Sequence, residues 1–409
     1  MTSFLVLVFT ITCLLNYLFK NKYPFSLLFS FYWLLNVLIS FLFFPDFVFS
    51  NFLLLFLLLS SISIFIGERV GSFTIIKNNN SLWFNLSLIN KIFFIVFIFS
   101  MLFPIINLSN YGFNLFDLSS LKSLLEINNK IAALRYSGKI EKTFFGQILL
   151  SLTYLLPFIG GFLYFHLKEK KIIFLSILPQ LLTMLSQNTK VSFIAAVLIF
   201  ISSSIACNII FSNKILTFTF KKIISSSLIG LLFYYLFIFS FAARRGELNA
   251  KVISESKNKI GNYIAHVPAL DVYLNSEKVI NYSFGLKTFY GISNYLGILK
   301  RKGGIFTDFI NFKSGGKKFK TNIFTVFRLL IEDFGVIGSY IFLFFSSLIF
   351  GFFRVNNIKF KSFSICLIST FIFFILYSFV SSVFAYMSYI FSFIMFFLVL
   401  KIGSFKYKI

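Results

Sequence analysis

The chain has 409 residues, 58% of them hydrophobic and 12% charged, with a formal net charge of +25. Soluble domains carry roughly 45–50% apolar and about 25% charged residues, so no soluble core of this length could bury so much apolar surface. Lipid must be the solvent for most of it.

A membrane-crossing helix needs about 20 mostly apolar residues, and on that measure the sequence predicts about eleven spans. They are centred on 2–19, 25–44, 47–66, 91–109, 144–165, 172–187, 191–211, 222–242, 323–351, 362–382 and 385–401. The expected fold is all-α: one polytopic integral membrane domain over 1–409, with two large extracytoplasmic loops. No cationic residue precedes the first run, so it reads as a retained helix rather than a cleaved signal. The sixth run is short and holds Pro179, which predicts a kinked or partly re-entrant segment.

Cations cluster in alternate short connections. Lys20 and Lys22 follow the first span, and Arg69 and Lys77 the third. Lys168, Lys170 and Lys171 follow the fifth; Lys214, Lys221 and Lys222 lie around the end of the seventh; Arg354, Lys359 and Lys361 follow the ninth. The intervening connections are nearly free of them. Lys/Arg excess marks the cytoplasmic side, which predicts an outside N-terminus and a cytoplasmic C-terminus. Two polar segments, 110–143 and 243–321, then fall outside. The first is expected to hold an amphipathic helix lying on the interface. The second is a large basic loop with fourteen Lys/Arg against five acids. A basic surface facing outward implies an anionic partner there, and the location of the charge argues against nucleic acid. No internal repeat is evident.

Cys13, Cys207 and Cys366 all sit in apolar runs, and His166 and His266 are the two histidines; no HExxH or CxxC occurs. Neither a disulfide framework nor a protein-built zinc site is expected.

Several polar residues could carry chemistry. Arg135 follows the amphipathic stretch and could snorkel toward headgroups or grip phosphate. Arg244-Arg245-Gly246 stand at the outer end of the eighth span; they could anchor that end or clamp a diphosphate, for which the guanidinium fork is suited. Lys190 is the cation of a very short outer turn, either a phosphate contact or a solvated residue. Arg328 and Glu332 are i,i+4 neighbours that can pair on a helix, with Asp333 one step around. Ionisable groups at such a depth are a functional hypothesis by default, and the same three could equally fix the angle at which the loop enters the span. His266 is the histidine expected outside, a candidate base or a hydrogen-bonding bystander.

The run Asn322-Ile-Phe-Thr-Val-Phe-Arg328, then Glu332-Asp333-Phe334-Gly335 and Gly338, resembles the signature of the O-antigen polymerase (oligosaccharide repeat-unit polymerase) family. The layout is similar too: many spans, two large outer loops and arginines at the loop edges, though this chain has lysine at the Lys190 turn where the family usually has arginine. The resemblance implies a bacterial inner-membrane glycosyltransferase working without cofactor or metal. Its donor and acceptor would be undecaprenyl-diphosphate-linked oligosaccharides, and a chain-length regulator protein would be a further partner. Arg135, Lys190, Arg244, Arg245, Arg328, Asn322 and Thr325 would bind substrate. Fixed cations would neutralise the departing diphosphate, and Asp333, Glu332 or His266 would take the acceptor proton. A polysaccharide ligase shares this layout. A lipid-oligosaccharide flippase would instead spread charge through its spans and keep its loops small.

Overall fold

In hydrocarbon every backbone polar group must be satisfied internally, which a helix achieves within its own segment. The computed structural model follows that rule. It describes residues 2–18, 23–73, 81–136, 144–212, 234–276, 282–299, 306, 308–322 and 324–407. Helices α1 (Thr2–Leu18), α2 (Pro24–Phe43), α3 (Asn51–Gly71) and α4 (Leu86–Asn110) lead into a short helix, α5 (Leu121–Tyr136). Then come α6 (Phe144–Leu167), α7 (Lys170–Gln187), α8 (Lys190–Ser212) and α9 (residues 234–245). The polar segment that follows holds α10 (Ala250–Ile264), α11 (His266–Leu274), α12 (Tyr290–Tyr295) and a hairpin of β2 (Ile310–Ser314) and β3 (Lys317–Thr321). The chain closes with α13 (Val326–Val355), α14 (Asn357–Tyr377) and α15 (Met387–Ile402). Strand β1 (Ser81–Phe84), just before α4, pairs antiparallel with β4 (Ser404–Tyr407).

Seven of these helices are long and apolar enough to cross a bilayer: α2, α3, α4, α6, α8, α13 and the Phe360–Tyr377 part of α14. The protein is therefore a polytopic helical membrane protein. Helix α7 runs through Pro179 as a single helix.

Helices α3 and α13 pack closely because Gly67 and Gly71 leave room for a neighbouring backbone. A Cβ at either would collide with the carbonyl oxygen of Phe344 or Leu348, the close approach that small residues four apart allow between membrane helices. At the end of this contact lies Glu68, fully buried. Its carboxylate accepts from Phe25 N at 3.1 Å and Ser26 N at 2.9 Å, the first amides of α2. Arg354 Nε stands 3.9 Å away and Arg354 Nη2 reaches Ser72 Oγ at 3.1 Å. The starts of α2 and α14 and the ends of α3, α6, α8, α13 and α15 share this end of the bundle. Lys168 and Lys361 lie here as well, each 4.6 Å from the centroid of a stacked Phe165–Phe211 pair.

The opposite end holds the polar elements. The hairpin seats Phe312 and Phe319 against Phe44 at the end of α2, and Gly315 N donates to Asp46 at 2.7 Å. The 243–321 segment is thus built largely of helices and a hairpin that cap the bundle. Helix α5 forms where the amphipathic stretch predicts one. Its buried Ile127 and Ile131 pack with Leu108, Tyr111 and Phe113 at the end of α4.

Candidate functional site

Thr325 precedes α13 as its N-cap residue, and Arg328 emerges from the first turn. Arg328 Nε pairs with Glu332 Oε1 at 2.7 Å, the i,i+4 contact that the spacing predicts. Its Nη2 meets both oxygens of Asp308 at 2.9 Å. Glu332 Oε2 pairs with Lys287 Nζ at 2.9 Å, and the Tyr273 hydroxyl donates to Glu332 Oε1 at 3.4 Å. Phe324, Phe306 and Tyr273 surround the guanidinium with ring centroids at 4.0, 4.6 and 5.0 Å, supplying cation–π attraction where water is excluded. Burial, aided by the Glu332 carboxylate, holds the Tyr273 phenol well above its usual pKa, so it stays a donor. The side chains of Arg328 and Glu332 are 9% and 14% exposed, against 40% for Asp308. Asp308 is thus the carboxylate that an incoming molecule can reach.

Asp308, Lys287 and Tyr273 were not among the residues expected from the sequence. The one signal for Asp308 is that it is an acid in a strongly basic segment.

Asp333 is fully buried and committed to the neighbouring loop. Its carboxylate accepts from Ser283 Oγ at 2.5 Å, Lys287 N at 3.1 Å and Thr288 N at 2.5 Å. Its oxygens are thus taken up by the Ser283 hydroxyl and two loop amides. Two residues on, Gly335 has φ 73° and ψ 178°, a break inside α13. The break deprives the carbonyls of Glu332 and Asp333 of their usual partners four residues ahead. Ser283 N and Phe284 N take their place, at 3.2 and 3.1 Å. Only glycine adopts such a backbone at low cost, and a Cβ would lie 3.2 Å from Tyr282. Gly335→Ala should therefore cost roughly 1–3 kcal/mol, read as a lower melting temperature of the purified protein. An unchanged melting curve would mean that the break is not required.

Beyond Gly335, α13 and α14 enclose an apolar groove of about 630 Å³, bounded at the polar end by Tyr282, Phe284 and Asp333.

A second group forms around the C-terminal part of α9. Asn188, at φ 57°, donates to the Ser240 carbonyl at 2.7 Å and accepts from Ser240 Oγ at 2.6 Å. This docks the α7–α8 turn against α9 and places Lys190 Nζ 4.5 Å from the Phe237 ring centroid, with Lys190 only 7% exposed. Helix α5 docks on the same helix, with Asn129 Nδ2 donating to the Arg244 carbonyl at 2.8 Å; Asn128 reaches the Leu185 carbonyl on α7. Arg244 is one turn beyond Ser240, about 6 Å along the axis, and half-buried. Arg245 is exposed and pairs with Glu255 at 3.1 Å. The fold thus gathers Lys190, Arg244 and Arg245 with the helix that carries Arg135. The side chain of Arg135 itself lies outside the described residues.

His266 is not an outward-facing loop residue. It begins α11, an apolar helix inserted against α2, α3 and α13, and is 5% exposed. Its Nε2 lies 2.8 Å from Asn36 Oδ1, with Trp33 and Phe379 rings beside it. Asp271 on the same helix accepts from Ser50 N and Asn275 Nδ2, each at 2.8 Å. Burial raises its pKa against the pull of those bonds. Thr325 is fully buried, whereas Asn322 is exposed beside the hairpin.

Comparison with family models, with curated proteins and with solved structures returned no match to this chain. The functional reading rests on the arrangement of its own residues.

Proposed function

We propose that this protein is a metal-independent membrane glycosyltransferase. It polymerises undecaprenyl-diphosphate-linked oligosaccharide repeat units into a surface polysaccharide, on the outer face of a bacterial inner membrane. The observation that carries the reading is that the α7–α8 turn and α5 both dock on α9, which brings Lys190 against the helix whose last residues are Arg244 and Arg245. Such a cationic cluster suits a diphosphate leaving group, whose developing charge fixed cations stabilise. The carboxylates held by Arg328 stand at the same end of the bundle and supply the complementary chemistry.

In this reading the acceptor hydroxyl, at the non-reducing end of the next lipid-linked unit, attacks the anomeric carbon of the donor. The new glycosidic C–O bond forms as the bond to the lipid diphosphate breaks. The hydroxyl proton passes to Asp308, and the electron pair leaves on the diphosphate, held by Arg244 and Arg245. Arg328 keeps Asp308 and Glu332 in place. The topology belongs to the same proposal: eleven spans, with the N-terminus outside and the C-terminus cytoplasmic. It is supported by α1 and α15, apolar helices of 17 and 16 residues, and by the lysines gathered at the end of the bundle opposite the polar cap.

Purified protein in lipid discs, given a labelled lipid-diphosphate repeat unit, should produce a ladder of polymer that survives chelator. Asp308→Asn should slow it by about 10²–10⁴-fold, the range for loss of a general base, and Arg244→Ala by about 10²-fold. Full activity in both variants would remove the site assignment. Transfer of finished polymer to a different acceptor, without a ladder, would identify a ligase.

A further inference from the structure

We propose that the outward face of the β2–β3 hairpin carries the growing polysaccharide, and that this polymer is acidic, with a carboxylate on sugars of its repeat unit. This names the substrate class of the reaction proposed above and rests on that reading.

Side chains alternate across a strand, and the two faces of this hairpin differ. Phe312 and Phe319 pack on Phe44, and Thr321 Oγ1 donates to the Asn262 carbonyl of α10 at 3.0 Å. Asn311 and Lys313 on β2 and Lys318 and Lys320 on β3 are exposed, as is Lys317 next to the turn. The register sets Lys313 directly opposite Lys318, and Asn311 opposite Lys320. Like charges that face each other across strands are destabilising. Among the described residues no carboxylate stands within ion-pair distance of any of these four lysines. The face is therefore a cost to the hairpin by itself and complementary to an anion.

The chemistry of the face selects the kind of anion. A globular partner would bring its binding energy through buried apolar and arginine anchors, and lysine is depleted at such interfaces. The exposed apolar group here is Phe309, 52% exposed, with Lys320 Nζ 4.8 Å from its ring centroid. An open ring beside ammonium groups suits an acidic sugar, whose C–H face packs on the ring while its carboxylate meets the cation. Lysine is a point charge on a flexible stem, without the fixed fork of arginine, so it can hold successive units of a chain that slides. The position agrees. Asp308, which takes the acceptor proton in the proposed reaction, directly precedes Phe309 and lies two residues before β2. At the rise of a strand, the five residues from Asp308 to Lys313 span about 16 Å. A polymer extending from the reacting end meets Phe309 first and the lysines next.

The test reads binding to the purified full chain in lipid discs at low ionic strength. Labelled oligogalacturonate, a neutral dextran oligomer of equal length and polyglutamate of equal charge are compared by fluorescence anisotropy. Oligogalacturonate should bind at least about tenfold more tightly than dextran, and more tightly than polyglutamate. Lys313→Gln/Lys318→Gln/Lys320→Gln should remove that advantage while melting no lower than wild type, because the facing charges are gone. Lys168→Gln/Lys170→Gln/Lys171→Gln takes the same charge from the other end of the bundle and should leave the advantage unchanged. Equal binding of uronate and dextran, or wild-type binding by the hairpin variant, would overturn the proposal. Polyglutamate held as tightly as uronate would point to an acidic protein, and competition by phosphatidylglycerol in the discs to lipid headgroups; either result overturns it too. Because no turnover is read, failure of the uronate to bind a protein that still polymerises overturns only the docking face. Uronate binding without polymerisation overturns only the proposed reaction.

Discussion

Arg328→Met is expected to abolish turnover and to lower stability by about 3 kcal/mol. The arginine is 9% exposed and joins Glu332, 14% exposed, to Asp308. Removing one partner of a buried ion pair leaves the other uncompensated, at a cost of roughly 3–5 kcal/mol. Asp308 can turn to solvent, which places the expectation at the lower end. Lysine is not an adequate replacement, because one ammonium cannot reproduce the guanidinium fork that reaches both carboxylates at once. The double variant Arg328→Met/Glu332→Leu separates the two roles. It removes the stranded charge and should recover most of the lost melting temperature, yet remain inactive because nothing orients Asp308. Turnover at the wild-type rate in either variant would show that the network only fastens the loop.

Glu68→Ala should be as damaging to the fold and harmless to the chemistry. The carboxylate is fully buried, accepts from the first amides of α2 and faces Arg354. The leading amides of a helix have no partner within it, and their partial positive charge favours an anion. Alanine removes the acceptor of both amides and the counter-charge of Arg354, so roughly 3–5 kcal/mol should be lost. Glutamine keeps an oxygen for the amides and should cost only about 1–2 kcal/mol. Thermal melting measures both, and the fraction that remains folded should turn over normally, since the site lies at the opposite end of the bundle. A melting temperature for Glu68→Ala equal to that of wild type would show that water satisfies these groups instead.

These two residues show what could be read from sequence. Arg328 and Glu332 are four apart, so helical geometry alone announces their pairing. Asp308, Lys287 and Tyr273 stand twenty, forty-five and fifty-nine positions from their partners, and no local spacing reports such contacts. Apolar runs predicted the helices well, because hydrophobic length is a local property and lipid enforces it. The same rule misplaced His266. A nine-residue apolar helix inside a polar segment is too short to register as a span, so its burial among Trp33 and Phe379 could not be seen. Asp333 was legible as an acid at the right depth, but not as one whose oxygens the 283–288 loop would occupy.

The pairing of β1 with β4 has a consequence for how the protein is made. The two strands are separated by nearly the whole chain, and Asn85 N, at the head of α4, donates to the Gly403 carbonyl at 2.8 Å. Helices can insert one after another as they leave the ribosome, but this ladder cannot close until every span between its halves has been synthesised. Contacts so distant along the chain form late, after the entropy of closing the loop has been met. Assembly of the lysine-rich end of the bundle is thus a post-translational event, and chains interrupted before Ser404 would leave the start of α4 without its partner.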